Sequence, residues 1–448
     1  MESRRADADI ISAATNEELN RLKKLLAKYD DGRGLATTVK NVKNVNGAGA
    51  IHCAARGGKL NVLKYLIEEL GLDVNTKDER GGSPLLQATL GGNMNTVEYL
   101  LVKGADPETS DTKGYMPLHA AAEKGYTEIV TKLLSRGVNV NAASEIGTSL
   151  VMAANFGQLE ALQILLDHNA NPNLSPGCSF TPLAGSIVSG YLQCVEPLLE
   201  AGADPDGGSY GETPLIAAAD DGLTQIIKRL IQAGANSDIT NNIMLSDLCR
   251  PIFTLYLQAQ YPDDTLCCIY YTNDGFTPIE IAALNGYSNV VEVLFPVTSR
   301  IPGYVDWSIG GVIAHVQSDQ AKEQRELKAK EKLHEAKLSG TDAFNKKDYY
   351  KAKFSYSKAN EIDPNDAIIL SNRSMCWARM YEGAKALVDA SACIVRRPYW
   401  PKGYYMGGVA HSLLKRYNKA EKAFLAGLEW SPNSQELKDA YRFNSTTP

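Results

Sequence analysis

Cysteine is scarce and unclustered. The 448 residues hold eight, with no Cys-x-x-Cys pair and no His at zinc-ligand spacing. A structural zinc site is therefore not expected, and scattered thiols suit a reducing compartment, the cytoplasm with the nucleus as the alternative. No apolar run reaches the roughly 18 residues of a membrane span. The opening Met-Glu-Ser-Arg-Arg-Ala-Asp-Ala-Asp has no apolar core, so it does not read as a secretory signal. Gly-x-Ser-x-Gly, kinase and P-loop signatures are all missing. The short Gly47-Ala48-Gly49 falls in a turn between repeats, where it cannot be a phosphate loop. Neither an enzyme nor a cofactor is expected.

Charge is unevenly divided. The formal net charge is −6, but residues 1–316 carry −13 and residues 317–448 carry +7. The acidic part argues against nucleic acid, which demands basic surfaces. The basic part suits acidic peptides. A chain this long exceeds one compact core unless it grows along one axis as a repeat protein.

Repeats are what the sequence supplies. Thr112-Lys113-Gly114-Tyr115-Met116-Pro117-Leu118-His119-Ala120-Ala121-Ala122 predicts a turn and a short helix, with Pro117 at the first helical position, where a missing N–H costs nothing. Gly125 breaks that helix. Ile129, Val130, Leu133 and Leu134 recur at helical spacing on a second one, which Gly137 can end in the left-handed conformation. Copies are marked by Ser83-Pro84-Leu85, Thr148-Ser149-Leu150, Thr181-Pro182-Leu183, Thr213-Pro214-Leu215 and Thr277-Pro278-Ile279. The middle positions step by 33, 32, 33, 32 and 64. Residues 47–75 hold an earlier copy, and residues 6–28 a degenerate first unit that caps the stack. The pattern closely resembles the ankyrin repeat, with its 33-residue period and Thr-Pro-Leu-His-x-Ala signature. About eight units are expected over residues 1–297. The resemblance implies protein binding through a concave face of β-turn tips and first helices. The tip candidates are Arg80, Lys113, Tyr115, Glu145, Phe180, Tyr210, Glu212 and Phe276. His52 and His119 take the repeat's own His position, where they bond backbone between units.

Two places break the pattern. Pro197 falls in a second helix; it costs about 3 kcal/mol at mid-helix and nothing within the first turn of a shortened helix. The step of 64 reads either as a worn repeat or as an insertion. Insertion is favoured, because deleting residues 243–273 restores a normal turn and a step of 33. The insert is apolar and aromatic and contains Cys249, Cys267 and Cys268.

Residues 298–330 are read as a linker and a charged helix, in which Trp307, Ile309, Val312, Ile313 and Val316 are placed to pack on the last ankyrin unit. A second period follows. Ala352, Tyr356, Ala359 and Pro364 recur as Ala386, Ala390, Cys393 and Pro398, then as Ala420, Phe424, Gly427 and Pro432, with steps of 34. Gly340, Ser374 and Gly408 fill the small position of each first helix. This resembles three tetratricopeptide repeats with a capping helix, over residues 331–442. The order of the two arrays, with Asp306-Trp307-Ser308 between them, resembles plant ankyrin–tetratricopeptide proteins.

Some tetratricopeptide domains clamp the C-terminal carboxylates of cytosolic heat-shock chaperones ending Glu-Glu-Val-Asp. Their motifs are Lys-x-x-Gly-Asn, Ser-Asn-Arg and Lys-Gly-x-x-Arg. In this chain Lys337, Asn372 and Lys402 match, while Thr341 stands in place of an Asn and Met406 in place of an Arg. The expected fold is all-α: an ankyrin solenoid followed by a three-repeat tetratricopeptide domain. The expected function is an adaptor with two protein-binding surfaces, the second taking acidic chaperone tails. The alternative is a scaffold whose second groove is structural or has another partner.

Overall fold

The computed structural model describes residues 2–30, 32–44, 47–176, 180–208, 213–241 and 275–445. It divides into two compact units, residues 1–314 and 315–448. Among the described residues no helix is long and apolar enough to cross a membrane.

The first unit is a stack of helix pairs. It opens with α1 (Glu2–Thr15), α2 (Leu19–Tyr29) and α3 (Leu35–Asn41). The pairs that follow are α4 (Ala50–Arg56) with α5 (Leu60–Lys64), α6 (Pro84–Leu90) with α7 (Met94–Val102), and α8 (Pro117–Lys124) with α9 (Thr127–Leu134). Next come α10 (Ser149–Asn155) with α11 (Leu159–Asp167), α12 (Pro182–Val188) with α13 (Val195–Glu200), and α14 (Pro214–Asp220) with α15 (Thr224–Gln232). The last pair is α16 (Pro278–Leu284) with α17 (Ser288–Leu294). The only paired strands among the described residues are β1 (Ala143–Ser144) and β2 (Gly147–Thr148), a two-residue finger.

Local chemistry sets each pair. Ser83, Thr148, Thr181 and Thr213 each cap a first helix by accepting the N–H three residues on. Pro117 stands first in α8, and Gly125 ends it at φ +69°. Leu118, Ala121, Ala122, Ile129, Val130 and Leu133 are each no more than 2% exposed, and α8 packs between α6 and α10. Each unit's apolar face is thus covered by its neighbours, as a solenoid requires. His119 is fully buried. Its Nδ1 accepts the Met116 N–H at 3.1 Å, which leaves Nε2–H to donate to Ala142 O at 3.0 Å in the next unit. His52 makes the same pair of bonds, to Gly49 N and Thr76 O.

The helix carrying Pro197 is short. A 3₁₀ turn, Leu192–Cys194, precedes α13, so Pro197 is its third residue, where no intrahelical N–H bond is lost. The last pair, α16 and α17, packs directly on α14 and α15. Asn285 Nδ2 donates to Asp220 O at 3.0 Å, and Asn289 Nδ2 to Thr224 Oγ1 at 2.7 Å. The finger opening this pair closes with the same two bonds as the finger opening α8. In one, Asp111 accepts from Tyr115 N and donates its own N–H to Tyr115 O; in the other, Asn241 does the same with Phe276. Four residues separate the partners in the first case and 35 in the second. Residues 243–273 lie outside the described residues.

After α17 the chain stays bound to the last pair. Glu280, at the His position, accepts from Thr277 N and Oγ1 and from the Tyr304 hydroxyl at 2.8 Å. Trp307 stacks on Phe295 with centroids 5.4 Å apart and meets Tyr304 edge-on. The helix α18 (Ile309–Gln317) follows, with Val312 and Val316 buried.

The second unit pairs α19 (Asp319–Asn345) with α20 (Tyr349–Ile362), α21 (Ala367–Arg379) with α22 (Gly383–Arg396), and α23 (Pro401–Leu413) with α24 (Tyr417–Trp430). It closes with α25 (Gln435–Ser445). The turns inside the three pairs each place one non-glycine residue in the left-handed region: Lys347, Tyr381 and Lys415, at φ +62°, +61° and +57°. The 34-residue period is therefore written in the backbone as well as in the side chains. Gly408 is required by packing, since a Cβ there would sit 2.2 Å from the Phe424 ring.

Candidate functional site

Two surfaces present the residues singled out by sequence. The first lies on helices α19, α21 and α23, the leading helix of each pair in the second unit. Lys337 stands on α19 with Thr341 one turn later. Its ammonium donates to Asp366 Oδ2 at 2.7 Å. Asp366 also caps α21, its Oδ1 accepting the Ile368 N–H at 2.8 Å. Burial alone would raise the Asp366 pKa, but the Lys337 ammonium and the helix N–H outweigh it and hold the carboxyl below its ordinary value. Thr341 Oγ1 donates to Lys337 O at 2.9 Å and shares a 3.1 Å hydrogen bond with the Tyr356 hydroxyl. Asn372, on α21, accepts from Lys402 Nζ on α23 at 3.1 Å. Lys402 also lies 5.7 Å from the Trp400 ring. Met406, on α23, is 2% exposed and presents no polar group.

Asn372 and Lys402 are thus joined directly, and Lys337 and Thr341 are joined through Lys337's own carbonyl. What the sequence reading missed is Asp366. Its signal was present in Asp363-Pro364-Asn365-Asp366, an acid at a helix-capping position, but nothing in one sequence says that this cap reaches Lys337. The arrangement holds two ammonium groups and an amide. Each can donate to an anionic oxygen, and an ammonium has three donors, so Lys337 can serve Asp366 and a ligand together.

The second surface is the row of fingers. Asp78 Oδ1 accepts from Arg80 N and Gly82 N, and Asp111 Oδ1 from Lys113 N and Tyr115 N. Successive fingers are bonded through backbone, Thr112 N to Arg80 O at 2.8 Å and Glu145 N to Lys113 O at 3.0 Å. Arg80, Lys113 and Glu145 therefore form a regular exposed row. Tyr115 does not join it. It is 8% exposed, its ring stacks on His119, and its hydroxyl donates to Glu123 Oε2 at 2.5 Å. A tip position turns inward here because a buried carboxylate on α8 needs a donor. Phe180 and Phe276 are half-buried. Tyr210 and Glu212 lie outside the described residues.

Comparison with known families decides the class. The ankyrin-repeat profile matches three times, over residues 10–111, 85–176 and 150–243, which together exceed half of the chain. The chain belongs to the ankyrin-repeat proteins. A tetratricopeptide-repeat profile matches this ankyrin-repeat protein at residues 343–366 and 401–434, in the second unit. Among curated relatives, the Hsp70-Hsp90 organizing protein of Triticum aestivum is 33% identical over 129 residues, 28% of this chain and 22% of its own. The protein STIP1 homolog of Dictyostelium discoideum is 39% identical over 110 residues, 25% of this chain and 20% of its own. An Hsp70-Hsp90 organising protein of Plasmodium falciparum is 36% identical over 111 residues, 25% of this chain and 44% of its own. This ankyrin-repeat protein spans about a fifth of the length of the first two and under half of the third.

Proposed function

We propose that this protein is an adaptor whose second unit takes the acidic C-terminal segment of a heat-shock chaperone while its ankyrin stack takes another protein. The observation that carries the reading is the meeting of Asn372 with Lys402, together with Lys337, on the leading helices of the second unit, in a chain that resembles over about a quarter of its length proteins named for organizing Hsp70 and Hsp90. In this reading Lys337 and Asn372 receive the terminal carboxylate and Lys402 an upstream acidic side chain. The Arg80, Lys113 and Glu145 row is the ankyrin contact, and residues 243–273 are an insertion between stacked units.

Binding is weakened by design of the site. Thr341 and Met406 withhold two donors, each worth about 1.5–3 kcal/mol when charge-assisted, and Asp366 competes for Lys337. Calorimetry of the full chain with a peptide ending Glu-Glu-Val-Asp tests this. Thr341→Asn with Met406→Arg should tighten binding, as should Asp366→Asn, which keeps the cap but removes the competing charge. Lys402→Ala should abolish it. If the double variant binds no better than the natural chain, the groove is not a carboxylate clamp.

A further inference from the structure

Away from the groove, α20, α21 and α22 meet in two layers one helical turn apart. One layer holds Ser357, Arg373 and Asp389, and its charges close: Arg373 Nε and Nη2 donate to the two Asp389 oxygens at 2.8 and 2.7 Å, and Nη1 donates to Ser357 Oγ at 3.4 Å. The other layer holds Lys353, Trp377 and Lys385, and its charges do not close. Lys353 is 4% exposed and makes no hydrogen bond or ion pair with any described residue. Its ammonium stands 4.7 Å from the Tyr350 ring centroid and 5.1 Å from that of Trp377; the Lys385 ammonium stands 4.8 Å from the same Trp377 ring. The two nitrogens are therefore no more than about 10 Å apart. The Lys353 nitrogen itself still reaches solvent, and the ring faces offset only part of the cost of its partial desolvation. Glu382 reaches Lys385 at 3.4 Å, which leaves one positive charge in the layer unanswered.

The repeat does not demand a lysine here. One period later, the equivalent position is Leu387, which packs against the apolar cluster of Ala378, Ala386 and Ala410. Trp377 is five residues beyond Asn372, so it leaves α21 roughly 140° round from the groove residue. We propose that Lys353, Lys385 and Trp377 form a second binding site, for a small oxyanion such as a phosphate or carboxylate group, on the side of this unit facing away from the groove. The surrounding groups fit that role. Tyr350 comes from α20, Arg373 and Cys376 from α21, and Lys385 and Asp389 from α22, with Glu382 just before it. Burial, then Lys385 and Arg373, push the Lys353 pKa down to about 8, while burial holds the Cys376 thiol up at about 12, so it stays neutral. A bound anion would replace this repulsion with attraction.

The test uses the full chain labelled with fluorotryptophan, the Trp377 resonance being assigned by Trp377→Phe. Inorganic phosphate and acetate are titrated separately against chloride at constant ionic strength. The expected result is a saturable shift of the Trp377 signal that is lost in Lys353→Met, which keeps the packing volume, and in Lys385→Met. The apparent affinity should fall about tenfold per pH unit above pH 8, as Lys353 loses its proton. Saturation by phosphate alone names a phosphate site, by acetate alone a carboxylate site, and by both the shared oxyanion chemistry. No saturation with either anion, or a shift in the lysine variants as large as in the natural chain, overturns the proposal.

Discussion

Lowering the pH from 7.5 to 5.0 should remove about 2 kcal/mol of stability through His119 alone. The ring is fully buried, its Nδ1 occupied by the Met116 N–H and its Nε2–H by Ala142 O. Protonating Nδ1 breaks the first bond and buries a charge. Burial drives the pKa down from 6.5 to about 4, and the backbone bonds to Ala142 and Gly147 oppose it only partly. The sign follows from proton counting. Between the two values the unfolded chain holds a proton that the folded chain rejects, so stability is intact above pH 7, declines as pH falls through 6.5 and levels off below 4. The slope approaches 1.36 kcal/mol per unit, and integration to pH 5 gives about 2 kcal/mol. Urea denaturation of the natural chain and of His119→Gln at both pH values isolates this contribution, because every other titrating group, His52 included, is common to both proteins. The natural chain should lose about 2 kcal/mol more than the variant on acidification. Equal losses would refute the assignment of His119 as a neutral inter-repeat lock.

The remaining predictions concern the two irregular places. Pro197→Ala should move the urea midpoint very little, because Pro197 occupies the first turn of α13; a gain near the 3 kcal/mol mid-helix penalty would contradict that placement. Deleting residues 243–273 should preserve or raise the melting temperature, since α16 and α17 already pack on α14 and α15 and closing a shorter loop costs less. A large fall would mean that the deleted segment covers apolar faces.

The stack was legible because ankyrin and tetratricopeptide repeats are specified by local rules repeated along the chain. Pro117, Gly125, the paired apolar positions and the buried His119 each do what the spacing predicts. Gly340, Ser374 and Gly408 fill the tight position of each first helix, and Ser374 adds a bond from its Oγ to Ala386 O at 2.8 Å. Less legible was anything depending on a partner from another element. Tyr115 reads as a tip residue until Glu123 is seen to need its hydroxyl. Lys337 reads as a free clamp donor until Asp366, 29 residues away, is seen to pair with it. Pro197 was undecidable because the start of α13 depends on a 3₁₀ turn that one sequence does not announce. Lys353 passed unnoticed because a lysine beside an alanine on a helix looks solvated, and only packing shows that it is buried.

In the proposed function the second unit recognises a terminal carboxylate through Lys337 and Asn372. The most direct measurement is calorimetric titration of the full chain with an acidic peptide ending Glu-Glu-Val-Asp, once with a free C-terminus and once amidated, at two salt concentrations. The free peptide should bind weakly, and less so as salt rises, and amidation should abolish that binding, because Lys337 and Asn372 then face a neutral group. Equal affinity for the free and amidated peptides would contradict it.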